Sequence, residues 1–157
     1  MLYETLKSKM IRMENISPIS EEEFIQVEKT LNINLPTLFK ELNKVCSYEF
    51  IPTIDWPHFS DLLDPGGVVN VNKRLYDLYP GAKNYLTLYS DDAGIILMDL
   101  TKEEGSIIWC SIYDAERVFN GLEPEPPYDK FATFGDFFSY LLDEVEAERE
   151  KGGGREE

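Results

Sequence analysis

The chain opens on an amphipathic stripe. Leu2, Leu6, Met10 and Met13 recur at steps of four, four and three, and Glu4, Lys7, Lys9 and Arg12 are left for solvent. That period predicts a helix over about residues 2–13. Pro18 ends the linker behind it. Ser20 then offers a helix cap, and Glu23, three residues on, is the reciprocal partner of a capping box; Ile19 and Phe24 match a hydrophobic staple. Such a cap is worth about 1 kcal/mol. Phe24, Val27 and Leu31 share a face, so a second helix is expected over about residues 21–31. Asn32 and Asn34 break it, and Pro36 suits the first position of the next helix. Leu38, Phe39, Leu42 and Val45 give that helix a buried face, and the pair reads as a helical hairpin.

The pattern changes at residue 48. Tyr48–Ile51 is compatible with a short strand, after which Pro52, Pro57, Pro65, Gly66 and Gly67 punctuate a long irregular stretch. Loops of this length in compact domains are often functional. Val69, Lys73, Tyr76 and Tyr79 support a further helix ended by Pro80-Gly81. Three strands follow. Tyr85–Tyr89 carries Leu86 and Leu88 on one side, and Ile95–Leu100 is apolar on both faces up to Asp99. Ser106–Tyr113 sets Ile108, Cys110 and Ile112 against Ile107, Trp109 and Ser111. The connections Ser90–Gly94 and Thr101–Gly105 are too short for crossover helices, so both pairings must be antiparallel.

Beyond Pro124, Pro126 and Pro127, Thr133 caps a last helix with Phe134, Phe137, Phe138, Leu141, Leu142 and Val145 on its apolar face. Lys151–Glu157, with three consecutive glycines, reads as disordered. The expectation is an α+β fold: a central antiparallel meander of at least three strands, flanked by N-terminal helices and a C-terminal helix. One domain is expected over residues 1–148, followed by a flexible acidic and Gly-rich tail over 149–157.

Composition narrows the classes. Of 157 residues, 43% are hydrophobic and 13% aromatic, enough for a packed core. Cys46 and Cys110 form neither a CxxC nor a ligand cluster, which fits reduced core thiols in a cytoplasmic protein. The first fourteen residues hold no continuous apolar core of a secretory leader. The longest apolar run, Ala93–Met98, is far short of the ~20 residues that span a bilayer, so no membrane association is expected. The net charge is −15 and uneven: residues 1–50 hold six Lys/Arg against eight Asp/Glu, residues 51–157 nine against twenty-two. Such a surface repels phosphate backbones and disfavours nucleic acid. It would attract a basic protein and speed the encounter.

Catalytic chemistry finds little support. His58 is the sole histidine, and a general base needs a positioned partner. Asp91 and Asp92 fall in a strand turn, where Asp bonds nearby amides, and they lack the ligand spacing of a calcium loop. Neither Gly66-Gly67 nor Gly152–Gly154 opens a P-loop. With thirty Asp and Glu, no carboxylate pair stands out for glycoside hydrolysis. No catalytic residue, metal site or cofactor is expected. Trp56, Phe59, Trp109 and Tyr113 fit either an aromatic patch or core, and core suits the two tryptophans better.

Ser20, Glu23, Glu28, Leu31, Leu35, Pro36 and Phe39 form a capped helix with an acidic start, a Glu near its end, a Leu-Pro step and an aromatic on the next helix. This resembles the opening motif of the SUKH superfamily, which includes Smi/Knr-type cell-wall-assembly regulators and bacterial toxin-immunity proteins. Phe131–Phe138 is similar to the start of that superfamily's final helix, and the resemblance covers roughly residues 17–145. Where the superfamily often has Gly after the first helix's Leu, this chain has Asn32. The resemblance implies a helix-flanked sheet without enzymatic activity and, in bacteria, an immunity protein that blocks a cognate toxin, often a nuclease. An acidic protein can occupy a nuclease's basic groove.

A scaffold or regulatory adaptor of the same fold is the alternative reading, and a carboxylate-based hydrolase a remote one. A monomer or weak dimer is expected. The expected contacts are the loop and turn acids Asp55, Asp61, Asp64, Asp91, Asp92, Glu103, Glu104, Asp114 and Glu116, with Trp56 and Tyr113 as aromatic anchors.

Overall fold

Four strands in consecutive order, β1 (Tyr85–Ser90), β2 (Gly94–Asp99), β3 (Ile107–Ser111) and β4 (Asp129–Phe131), form one antiparallel sheet. The computed structural model describes Glu4, Leu6, Ser8, Lys9 and residues 17–155. Five helices accompany the sheet among these residues: α1 (Glu21–Leu31), α2 (Thr37–Asn43), α3 (Val68–Leu78), α4 (Ala115–Phe119) and α5 (Phe134–Arg155). None is long and apolar enough to cross a membrane. Of the helix predicted over residues 2–13, the four described residues are helical; the rest lies outside the described residues.

Register explains why β2 is apolar without interruption. Ile96 and Met98 pair with Trp109 and Ile107 and join the larger core, under α1, α2 and α5. Ile95 and Leu97 pair with Cys110 and Ile108 and join a smaller core with Ala82, Val118 and Phe119. The strand is thus covered on both faces. Rings dominate the larger core: Phe24, Phe39, Tyr48, Phe59, Phe134 and Phe137 are fully buried. Phe39 meets Phe134 edge-on at 4.8 Å between centroids, a preferred aromatic geometry.

The capping box forms as its spacing predicts. Ser20 Oγ accepts from the Glu23 N–H at 3.2 Å, and Glu23 Oε1 accepts from the Ser20 N–H at 3.1 Å. Glu23 also reaches the long loop, accepting from the Ser60 hydroxyl at 2.6 Å. Glu28 braces the hairpin turn by accepting from the Leu35 N–H at 2.8 Å. Asn32 caps α1 with φ 55°, the left-handed conformation that glycine enters most easily and asparagine tolerates.

Several local expectations needed correction. Tyr48–Phe50 is a 3₁₀ turn rather than a strand, because Ser47 caps it and the buried Asn43 side chain accepts from the Tyr48 N–H at 2.8 Å. The third strand stops at Ser111, whose hydroxyl accepts from the Tyr113 N–H and turns Ile112–Asp114 into another 3₁₀ turn. The short elements α4 and β4 carry too little period to be read from sequence. Helix α5 runs from Phe134 to Arg155.

Candidate functional site

A cleft of about 650 Å³ opens at the end of the sheet where β1 turns into β2 and β3 ends. It is lined by the irregular segment Thr53–Asp55 and by Pro127–Asp129, which leads into β4. Tyr89, Asp91 and Trp109 line it as well. A second hollow of about 370 Å³ shares Asp55 and Tyr89 with the first and adds Trp56, His58 and Asp64. Among the described residues, four carboxylates, Asp55, Asp64, Asp91 and Asp129, thus border the two hollows, and no Lys or Arg lines either.

The carboxylates differ in their engagement. Asp91 is a turn brace as well as a lining residue. It accepts from the Tyr89 hydroxyl at 2.6 Å and from the N–H groups of Gly94 and Ala93 at 2.7 and 2.8 Å. The bond from Tyr89, aided by the two backbone donors, holds the Asp91 carboxyl below the usual carboxylate range. The same bond pushes the Tyr89 hydroxyl up, with burial and the charges of Asp91 and Asp55 adding to it. Asp64 accepts from the Gly66 N–H at 3.0 Å and lies 4.0 Å from His58 Nε2. Asp55 and Asp129 are exposed and make no side-chain hydrogen bond or ion pair among the described residues. Their acceptors remain open to an incoming donor.

The other sequence-predicted contacts disperse. Asp92 is exposed in the turn beside Asp91 but does not line the cleft. Asp61 accepts from the Leu63 N–H at 2.9 Å and borders a separate hollow with Glu23 and Glu49. Glu103 and Glu104 sit at the opposite end of the sheet. Their backbone carbonyls accept from the Leu38 and Phe134 N–H groups at 3.2 and 2.8 Å, satisfying donors at the starts of α2 and α5. Tyr113 is 87% exposed, and neither it nor Asp114 and Glu116 line the two hollows. Trp56 lines the second hollow while packing edge-on against Tyr48 at 5.0 Å and Phe137 at 6.3 Å. Sequence reading missed Tyr89, Tyr128 and Asp129 as site residues. The three-residue strand behind Pro126-Pro127 gives no alternating signal that could place Tyr128 and Asp129, and Tyr89 reads as an ordinary residue of β1.

Among the described residues, no three His, Cys, Asp or Glu side chains are close enough to hold a metal ion. Burial pushes the Cys46 thiol up, and burial with the nearby Asp114 charge pushes Cys110 up to about 11. Both are therefore thiols, not thiolates, at neutral pH.

Glu49, in the separate hollow with Glu23 and Asp61, makes the pH dependence of the fold testable. Burial raises its pKa, the charge of Glu23 adds to the rise, and hydrogen bonds from the Phe59 N–H and the Ser47 hydroxyl oppose it. The folded state therefore binds this proton more tightly than the unfolded state. The contribution is fully present below the unfolded pKa and is lost as pH rises through the folded one. Glu49→Gln should gain stability relative to the parent as pH rises from about 4 to about 7. Urea titrations at several pH values would show this, and a constant difference would contradict it.

The model of the SMI1/KNR4 family (SUKH-1) matches residues 18–140, which take in the helical hairpin, the whole sheet and the first turns of α5. No curated protein matches the chain.

Proposed function

Because the chain belongs to the SMI1/KNR4 family (SUKH-1), whose domains fit immunity or regulatory protein-binding roles, we propose that it acts by binding a protein partner and not by catalysis. A basic segment of the partner enters the cleft bordered by Asp55, Asp91 and Asp129. In the immunity reading the partner is a cognate toxin, nuclease-like, whose basic groove the cleft and the surrounding acidic surface occupy. The observation that carries this reading is the cleft lining: among the described residues, three carboxylates, two of them unengaged, and no Lys or Arg. The net charge of −15, concentrated after residue 50, extends the same field outward and speeds encounter with a basic partner.

Removing the two unengaged charges tests it. Asp55→Asn with Asp129→Asn should leave the fold intact, since neither carboxylate braces the chain. It should weaken the complex with a partner captured from the source cells by about tenfold, and association should slow as salt is raised. Calorimetry and stopped-flow mixing with the purified partner measure both. Undiminished affinity in the double variant would remove the cleft from the interface. A partner with no toxic activity of its own would replace the immunity reading with that of a regulatory adaptor.

A further inference from the structure

The same cleft that holds the carboxylates is bordered by three aromatic rings, Tyr89, Trp109 and Tyr128. Two of these rings are tethered: the Tyr89 hydroxyl donates to Asp91, and the Tyr128 hydroxyl donates to Glu123. Trp109 is held from behind by Phe137, edge-on at 6.3 Å. The ring faces are therefore positioned before any partner arrives, which lowers the ordering cost of binding.

Rings and free carboxylates ask different things of a cation. A lysine ammonium is compact and strongly hydrated, and it meets a carboxylate as a point charge. An arginine guanidinium is planar and weakly hydrated; it stacks on aromatic faces while its edge donates to carboxylates in a fixed fork. A site of charge alone would serve either residue. One that adds aromatic walls to unengaged carboxylates favours the guanidinium. We infer that the cleft is an arginine-selective pocket, taking an arginine side chain on an exposed segment of the protein partner, with Asp55 and Asp129 accepting from its N–H groups and the rings stacking on its plane. This inference rests on the proposal that the cleft takes a basic protein segment, and it names the residue that enters. A cleft of about 650 Å³ has room for that side chain and part of the segment carrying it.

The test uses blocked hexaarginine and hexalysine peptides against the full chain at physiological salt, so that the overall acidity attracts both alike. Binding is read by calorimetry and by tryptophan fluorescence; of the two tryptophans in the chain, Trp109 lines the cleft and Trp56 the adjoining hollow. Hexaarginine is expected to bind about tenfold more tightly than hexalysine. Tyr128→Ala, at a half-buried ring on the margin of the smaller core, should reduce that preference to near unity with little effect on hexalysine, and an unchanged urea midpoint would show that the fold is kept. Asp55→Asn with Asp129→Asn should weaken both peptides. Equal affinity for the two peptides in the parent chain would overturn the arginine selectivity while leaving the basic-segment reading in place. Hexaarginine binding unchanged in the Asp55→Asn, Asp129→Asn variant would place the peptide elsewhere on the acidic surface and overturn both. Absence of binding by either peptide would also overturn both.

Discussion

Asn72→Ala is expected to destabilise the fold by about 3 kcal/mol, because one side chain completes the edge of the sheet. Among the described residues, strand β1 pairs with β2 on one side only. On its other side Asn72 of α3 takes the place of a neighbouring strand. Its Oδ1 accepts from the Thr87 N–H at 2.8 Å, and its Nδ2 donates to the Thr87 carbonyl at 2.9 Å and to the Val68 carbonyl at 2.8 Å. Asn72 is fully buried and Thr87 nearly so. Alanine would leave both Thr87 groups without a protein partner and out of reach of bulk water, at about 1–3 kcal/mol each. Asn72→Asp separates the two bonds. It keeps the acceptor for the N–H but sets a carboxylate against the Thr87 carbonyl, so it should be at least as damaging at neutral pH and recover in part on acidification. Urea midpoints measure these effects, and a loss below about 0.5 kcal/mol for Asn72→Ala would show that water or a shifted chain replaces the side chain.

Gly81→Ala should be of similar size, about 3 kcal/mol or more, for a steric reason. A Cβ at Gly81 would lie 1.7 Å from the Phe119 carbonyl oxygen and 2.7 Å from its carbonyl carbon. Both are backbone atoms, so no rotamer change relieves the overlap. The 3₁₀ turn Pro80–Asn84 would have to withdraw from the end of α4, and Ala82 and Phe119 would part in the smaller core. Phe119 also carries the rings of Tyr79 and Tyr85 at 5.6 and 6.1 Å, so the disturbance spreads to the start of β1. Gly121→Ala makes the comparison: its φ is 81° but nothing lies within 4 Å of an added Cβ, so only local strain of about 1–2 kcal/mol is expected. Thermal unfolding of the two variants side by side would separate crowding from strain, and equal losses would contradict the close-approach argument.

The helical hairpin was legible because its signals are local: a capping box within four residues, an apolar face at helical period and a proline at a helix start. The connections of the meander were legible for a similar reason, since a five-residue link cannot hold a crossover helix. Tyr48–Ile51 was misread because its apolar and aromatic residues suit a strand, and the bond that turns it comes from Asn43, a side chain of the preceding helix. The contact residues were the least legible. Exposed acids in turns look alike in sequence, yet Asp91 is held by three donors, Glu103 and Glu104 serve through their backbone carbonyls, and Asp55 is unengaged.

The α+β class, the hairpin, the antiparallel pairing of the three longer strands and the concentration of negative charge after residue 50 all follow from the order of residues along the chain. Periodicity, capping and link length are properties of neighbouring residues, and charge is a sum over composition. Long-range packing, in contrast, brings Asp55, Asp91 and Asp129 around Tyr89, Trp109 and Tyr128, sets Glu103 and Glu104 at the far end of the sheet, and places Asn72 where a further strand would pair. Those placements depend on how segments tens of residues apart pack against one sheet. That is fixed by the register of distant strands and the fit of two cores, neither of which a short stretch of sequence encodes.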